Sequence, residues 1–153
     1  MDPDSRRSPT PLQKGRVGLM AEIIVADPRW RRSVPRLRQL VERTVTAAGG
    51  AIAVVLESDQ AVRRLNAEFR GIDKPTNVLT FSSGDIALAY GVTKREAAAE
   101  GKSFADHLAH LLVHGALHLR GYDHTSPGEA RQMAMEETRI LRRLGSRDPW
   151  CNR

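Results

Sequence analysis

The chain has a single cysteine, Cys151, few aromatic residues and no long apolar run. A lone cysteine excludes an internal disulfide framework and any zinc module built on several cysteines. No stretch reaches the roughly 20 apolar residues needed to cross a bilayer, and residues 1–19 hold no apolar segment of signal-peptide length. Aromatic residues make up only 5% of the chain, so stacking platforms for nucleic-acid bases are expected to be sparse. These absences predict a soluble protein of the reducing cytoplasm with no membrane partner.

Basic residues outnumber acidic ones, and the surplus is uneven along the chain. The 24 Lys and Arg exceed the 18 Asp and Glu, which gives a formal net charge of +6 over 153 residues. Residues 1–43 hold ten basic and five acidic side chains, so most of the surplus lies there. A net positive chain indicates a phosphate-bearing partner, but charge alone leaves RNA, DNA and anionic lipid open.

Hydrophobic periodicity predicts one α+β domain. Residues 1–19 are rich in proline and basic residues and lack apolar periodicity, so we expect a disordered tail before a single domain over residues 20–153. Short β-branched or alternating runs predict strands at 21–26, 51–57, 77–81 and 85–89. Helical spacing predicts helices beginning near 34, after Ser58 or Asp59, near 93, at 104 and at 128. This order indicates a mixed sheet of about four strands covered by about five helices.

The last predicted helix, over residues 128–144, has an apolar stripe. Its inward-facing residues are expected to be Met133, Met135, Ile140, Leu141 and Leu144.

All five histidines lie between positions 107 and 124, in the segment HLAHLLVHGALHLRGYDH. At 3.6 residues per turn, His110, His114 and His118 fall along one helix face, but the first and last are about 12 Å apart and cannot share an ion. Gly121 can end the helix in a left-handed conformation and return His124 toward His114 and His118. Three imidazoles with one open position form the layout of a catalytic zinc site. The sequence therefore predicts one Zn²⁺ bound by His114, His118 and His124.

Three residues near the predicted ligands are not themselves predicted to bind the ion. His107 and His110 are interpreted as coincidences of helical spacing rather than as ligands. Asp123 is a candidate to orient a ligand through a hydrogen bond, although the sequence does not show which nitrogen it would contact.

The spacing H-x3-H-x2-G-x2-H matches the metzincin protease motif HExxHxxGxxH except at one position. Where those proteases keep their general-base glutamate, this chain has Gly115. A glycine cannot accept a proton from water, and the stretch offers no other glutamate, so a peptidase mechanism is disfavoured. Three neutral imidazoles leave the charge of Zn²⁺ uncancelled, which favours an anionic substrate such as a phosphodiester. Nickel or copper could occupy the same imidazoles in a purified sample.

Several motifs together resemble one known family. HGALHLRGYDH (114–124) resembles the signature of the YbeY family, bacterial endoribonucleases of ribosomal RNA maturation. LNAEFRGIDKPTNVLTF (65–81) is similar to the LNxxyRxxdkpTnVLSF block of that family, and GDI (84–86), the run before His114 and the closing ILRRLGSRDPW also match. The resemblance covers roughly residues 50 to 150 in order.

The resemblance implies a single-zinc hydrolase that acts on single-stranded regions of RNA. Its substrate would be ribosomal RNA at the small-subunit 3′ end, with a further association with ribosome quality control and with proteins of the small subunit. By motif position the functional arginine of the family falls on Arg70, whose implied role is to contact the scissile phosphate. From the residues alone, Arg70 is an ordinary solvated cation at a helix end, where it suits the helix dipole.

Two departures from the family pattern bear on the substrate. Phe81 is followed only by Ser82 and Ser83 before Gly84, whereas the family has a longer loop there, so substrate fit is in question. Arg120 replaces an apolar residue, and it either contacts RNA or is simply exposed at the helix end.

The run Pro28-Arg-Trp-Arg-Arg32 interleaves an aromatic residue with cations. It could stack a base and grip phosphates, or it could form an exposed loop rim with a half-buried Trp30.

Two rival functions remain open beside the endoribonuclease. One is a ribosome-associated RNA-binding factor whose zinc is chiefly structural. The other is a zinc hydrolase of a different anionic substrate.

Overall fold

A computed structural model describes residues 21–145 of the chain. The predicted tail at residues 1–19 and Cys151 therefore lie outside the described residues. Four strands form one mixed sheet in the spatial order β1–β2–β4–β3. They are β1 (Glu22–Val25), β2 (Ala53–Glu57), β3 (Val78–Phe81) and β4 (Asp85–Ala89).

The sheet is parallel on one side and antiparallel on the other. β1 pairs with β2, and β2 with β4, in parallel, because a helical connection crosses over between each pair. β3 and β4 are antiparallel and joined by a short turn in which Gly84 has φ of +98°. β3 is consequently an edge strand, with one side open toward the helices that follow.

Six helices are present in the described part of the chain. They are α1 (Arg29–Ser33), α2 (Leu37–Ala48), α3 (Asp59–Arg70), α4 (Tyr90–Ala99), α5 (Phe104–Leu119) and α6 (Pro127–Arg143). The α+β prediction and the four strands are confirmed, and the helix count exceeds the expected five by α1. Within residues 21–145, none of the helices combines the length and apolarity that a bilayer crossing requires.

The core lies between the sheet and α5, whose middle is almost entirely buried. Leu108, Leu112, Val113 and Leu117 of α5 are fully covered and pack with Val54, Leu56, Ile86 and Leu88 of the sheet. Ser103 begins this helix, since its hydroxyl accepts the backbone N–H of Asp106 at 3.0 Å. α5 is thus a rigid element on which side chains facing away from the sheet are held in place.

The prediction for Trp30 is wrong in both of its forms. Residues 29–33 form helix α1 instead of a loop rim, and Trp30 is completely buried. Its Nε1–H donates to the carbonyl oxygen of Glu57 at 3.0 Å, and its ring packs against Tyr90 and Phe104. A buried indole with a satisfied donor is a core residue and cannot stack on a nucleobase.

One inward residue of α6 is also wrongly predicted. Met133, Ile140 and Leu141 are buried as expected, but Met135 is 66% exposed. The stripe of α6 instead continues through Glu137, a charged residue that is 1% exposed.

Candidate metal centre

The three predicted ligands come from the end of α5 and the turn that follows it. His114 and His118 lie one turn apart on the half-buried face of α5. The helix ends at Leu119, and Gly121 has φ of +99°, the left-handed conformation that a glycine adopts without strain. The backbone N–H of Tyr122 then donates to the carbonyl oxygen of Leu117 at 3.0 Å. This closed turn returns the exposed His124 toward the helix, as the sequence predicts.

The imidazole nitrogens of these residues converge on one point. His114, His118 and His124 each offer a nitrogen, and the three atoms all lie within 4.8 Å of one another. The Nε2 atoms of His114 and His118 are 3.1 Å apart. Ligand nitrogens about 2.05 Å from a tetrahedral zinc would be separated by about 3.3 Å, so the spacing suits a shared ion.

Hydrogen bonds leave the Nε2 atoms of both helical histidines with free lone pairs. His118 donates from Nδ1 to the carbonyl oxygen of Tyr122 at 3.1 Å, and His114 donates from Nδ1 to Glu137 Oε2 at 2.5 Å. A neutral imidazole carries one N–H, so both Nε2 atoms are acceptors that face each other. Two facing acceptors repel unless a cation lies between them, so the donor set fits a metal ion.

The pKa of His118 is lowered from its ordinary value. Burial is the main cause, and the nearby imidazoles of His114 and His124 add to it. A lowered pKa keeps the ring neutral, which is the form that binds a metal.

Glu137 of α6 is a buried carboxylate that the sequence analysis did not assign to the site. It accepts a hydrogen bond from His110 Nε2 at 3.3 Å as well as the one from His114. Burial alone would raise its pKa, but the hydrogen bonds from His110 and His114 lower the pKa to about 2. Glu137 is therefore ionised at neutral pH, and it places a negative charge behind one of the candidate ligands.

The hydrogen bond to a candidate ligand that was predicted for Asp123 is made by Glu137 instead. Asp123 Oδ1 accepts the backbone N–H of His124 at 2.7 Å, which shapes the turn and does not orient an imidazole. The signal that could have identified Glu137 is its spacing. It lies four residues after Met133 and three before Ile140, in the middle of an apolar stripe, where a charged residue needs a specific partner.

The two histidines interpreted as coincidences have defined partners. His107 is 2% exposed, and its Nε2 lies 2.9 Å from Glu96 Oε1. His110 bridges two elements, since Lys102 Nζ lies 3.2 Å from its Nδ1 and its Nε2 faces Glu137. Neither belongs to the three-histidine set, as the sequence analysis expects, but His110 contacts the same carboxylate as the candidate ligand His114.

A cleft of about 930 Å³ runs along the exposed side of α5. Its lining includes the end of α3 and the segment leading into β3, which contribute the cations Arg70 and Lys74. Glu96 of α4 and Glu100, the residue that follows this helix, also line the cleft. None of the described residues that line it is a Phe, Tyr or Trp.

Arg70 lies on the cleft wall and is exposed. Its Nη2 donates to the carbonyl oxygen of Thr80 in β3 at 2.6 Å.

Arg120 lies outside the lining of this cleft and connects two helices. Its Nη1 donates to the carbonyl oxygen of Ala48 at 2.8 Å, so it joins the end of α5 to the end of α2. It is thus more than an exposed cation at the helix end.

Gly115 occupies a close contact between α5 and the sheet. A Cβ at this position would lie 3.2 Å from Thr80 Cγ2 and 3.4 Å from Ile86 Cδ1. There is little room for a side chain where metzincins keep their glutamate.

The fold and the site together define, over the described residues, a single-domain α+β protein with a group of three histidines that could hold a metal ion. The family model described as endoribonuclease YbeY matches residues 22–145. The chain therefore belongs to the endoribonuclease YbeY family, an enzyme family of nucleases that act on RNA.

Relatives with that name cover most of the chain. The endoribonuclease YbeY of Gluconobacter oxydans is 47% identical over 98% of this chain and 92% of its own length. That of Bradyrhizobium diazoefficiens is 41% identical, covering 88% of this chain and 86% of its own length. Among solved structures, the solution structure of TM1509 from Thermotoga maritima superposes with a TM-score of 0.53 at 25% identity, covering 87% of this chain and all of that one.

Proposed function

We propose that this chain is a zinc-dependent endoribonuclease that cleaves single-stranded regions of RNA. One observation carries the proposal: the Nε2 atoms of His114 and His118 lie 3.1 Å apart with His124 beside them, and the two helical histidines line a cleft that Arg70 also lines. Membership of a family named for RNA cleavage supports RNA as the substrate. The proposed setting is the cytoplasm, where the substrate is ribosomal RNA near the small-subunit 3′ end, with a contribution to ribosome quality control.

The three histidines would hold the ion, and the open side of the set faces solvent because His124 is exposed. When bound, zinc supplies Lewis acidity toward a phosphoryl oxygen and lowers the pKa of a coordinated water. A site that only stabilises the fold is normally closed by four protein ligands. An exposed set of three beside a cleft therefore supports catalysis over a purely structural metal.

Arg70 is proposed to bind the scissile phosphate. Its bond to Thr80 uses one nitrogen of the guanidinium and restricts the position of the group, which leaves other N–H groups to donate to phosphate oxygens. Two parallel N–H donors match two phosphate oxygens and stabilise charge that develops on them. Lys74 on the same wall adds a second positive charge along the path of the strand.

The composition of the cleft supports a single strand bound mainly through its backbone. Base stacking in strand-binding proteins relies on aromatic side chains, and the described lining residues include no Phe, Tyr or Trp. A flexible strand can also follow a concave surface that a stiff double helix cannot enter. We expect little base preference and a marked weakening of binding with salt.

The test is a cleavage assay with defined metal content. The purified protein is expected to contain one zinc per chain and to cut a labelled small-subunit 3′-end RNA, but not the same sequence as a duplex. His124→Ala removes an exposed ligand at little cost in packing, so it is expected to fold, lose zinc and lose cleavage.

Zinc retention without cleavage by the parent protein would favour the RNA-binding factor with a structural metal. Equal rates on nonribosomal phosphodiesters would instead overturn the assignment to RNA.

A further inference from the structure

We propose that Lys102, His110 and Glu137 form a hydrogen-bond chain that fixes the tautomer of His114, which makes Glu137 a positioning residue for the metal. This inference rests on the proposed metal centre. Its consequence is that the affinity of the site for its ion depends on residues from three separate parts of the fold.

The hydrogen-bond chain begins at a buried ammonium group. The side chain of Lys102 is only 4% exposed, and its Nζ lies 3.2 Å from His110 Nδ1 and 3.7 Å from Glu100 Oε1. An ammonium group can only donate hydrogen bonds. His110 Nδ1 must therefore accept, and the single proton of a neutral His110 resides on Nε2.

Glu137 links the tautomer of His110 to the tautomer of the candidate ligand His114. The Nε2–H of His110 donates to Glu137 Oε1 at 3.3 Å, while Oε2 accepts from His114 Nδ1 at 2.5 Å. An ionised carboxylate accepts at both oxygens, so it satisfies two imidazole donors at once. The proton of His114 is thus held on Nδ1, and its Nε2 lone pair points to His118 Nε2.

An amide cannot take the place of this carboxylate. A glutamine side chain at this position offers one acceptor and one NH₂ group. If the NH₂ group faces His110, two donors oppose each other, because Lys102 prevents the other tautomer of His110. If it faces His114, the proton of His114 moves to Nε2 and occupies the position of the metal. Only the first arrangement leaves His114 Nε2 free for the metal, so metal binding has to overcome the opposed donors and becomes weaker.

The first measurement is metal affinity by competition with a chromogenic chelator. Glu137→Gln is expected to weaken zinc binding by about 10- to 100-fold. The matched control is Glu136→Gln, which removes a neighbouring carboxylate that pairs with Arg139 and is expected to change affinity less than twofold. Wild-type affinity in a folded Glu137→Gln protein would overturn the proposal.

A double variant tests the donor and acceptor assignments along the hydrogen-bond chain. Lys102→Gln replaces a group that only donates with one that can accept. In the Glu137→Gln background, His110 can then place its proton on Nδ1 and accept a hydrogen bond at Nε2 from the introduced amide. The combination of Lys102→Gln and Glu137→Gln is therefore expected to bind zinc about tenfold more tightly than Glu137→Gln alone. A merely structural role for Glu137 predicts no such rescue. If the double variant binds zinc no more tightly than Glu137→Gln, Lys102 is not part of the hydrogen-bond chain.

The wild-type protein gives a reading that does not depend on whether the variants fold. Long-range ¹H–¹⁵N spectra of the metal-free protein report which imidazole nitrogen carries the proton. We expect protonated Nδ1 in His114 and protonated Nε2 in His110, and the opposite assignment in either ring would overturn the proposal. If the wild-type protein binds no divalent metal, the proposed function fails, whereas these spectra still decide the tautomers.

Discussion

The guanidinium of Arg70 is anchored to the carbonyl oxygen of Thr80 across the open edge of the sheet, at 2.6 Å. Arg70 ends α3, and Thr80 lies in the edge strand β3, so one hydrogen bond joins the helix to the wall of the cleft. The edge carbonyl is available because no further strand of the described chain pairs with β3. The position of a long, exposed side chain in the lining of the cleft is thereby restricted.

Replacing Arg70 by Ala is expected to lower kcat for RNA cleavage by about 100-fold or more, the usual effect of losing a donor to a charged transition state. Arg70→Lys keeps the charge but not the planar fork, so we expect an intermediate loss. Zinc content should be unchanged in both variants. Arg64→Ala, an exposed arginine of the same helix outside the cleft lining, serves as the control. Full activity of Arg70→Ala would mean that the arginine only supports the cleft wall.

Gly115→Glu, which completes the metzincin pattern, is expected to destabilise the fold and to create no peptidase. The Cβ of the new side chain would lie 3.2 Å from Thr80 Cγ2 and 3.4 Å from Ile86 Cδ1, so the helix and the sheet would have to shift apart to admit it. We expect a loss of about 1–3 kcal/mol in the free energy of unfolding, measured by urea titration. Gly128→Ala, where a Cβ meets nothing within 4 Å, is expected to stay within about 1 kcal/mol of the parent. A stable Gly115→Glu protein would contradict this account of the glycine.

His107 is expected to make the fold less stable in mild acid. Burial lowers its pKa from the ordinary value, so in the folded chain it binds a proton less readily than in the unfolded chain. Between the lowered pKa and about 6.5 the unfolded state holds more protons, and stability therefore falls as the pH drops through that window. Above about pH 6.5 the effect vanishes. Among residues 21–145, Nδ1 of His107 has no hydrogen-bond partner, which is consistent with a ring that stays neutral in the folded state.

The measurement compares wild type with His107→Gln, both metal-free, by urea unfolding at about pH 7.5 and about pH 5.5, on either side of the ordinary histidine pKa. The other histidines are common to both proteins, so the difference between the two pH responses isolates His107. Wild type is expected to lose more stability on acidification than the variant. Identical losses would show that His107 titrates normally in the folded chain.

Trp30→Phe is expected to affect stability and not RNA binding. The substitution removes the donor to Glu57 and part of a fully buried ring, so we expect a loss of about 1–3 kcal/mol in the free energy of unfolding. RNA affinity, measured on the folded protein by fluorescence anisotropy, should be unchanged. Weaker binding by a folded Trp30→Phe protein would revive the base-stacking interpretation.

Local sequence patterns predicted most of the fold because the deciding signals are short in range. Short β-branched or alternating runs marked the four strands, and Gly121 marked the turn between the two helical histidines and His124. The convergence of the three candidate ligands was predictable for the same reason: helical periodicity and one glycine turn fix their relative positions within eleven residues.

What could not be predicted depends on packing between distant segments. Trp30 is a core residue only because β2 and α4 close around it. Glu137 meets His114 only because α6 packs on α5, a contact between residues 23 positions apart that no local pattern contains. In each case the residue type suggested a surface role, and burial with a specific partner decided otherwise.

The three candidate ligands lie within eleven residues of the sequence, and this short spacing affects the order of folding and metal uptake. An ion bound by His114, His118 and His124 closes a loop of only about ten residues, one that the Gly121 turn already holds nearly closed. The entropy lost on closing a chain segment grows with its length, so this ion removes little freedom from the unfolded chain. Most of the sheet and core should therefore form without it, and only the turn should tighten when it binds. The polypeptide can complete its fold first and take up its metal afterwards.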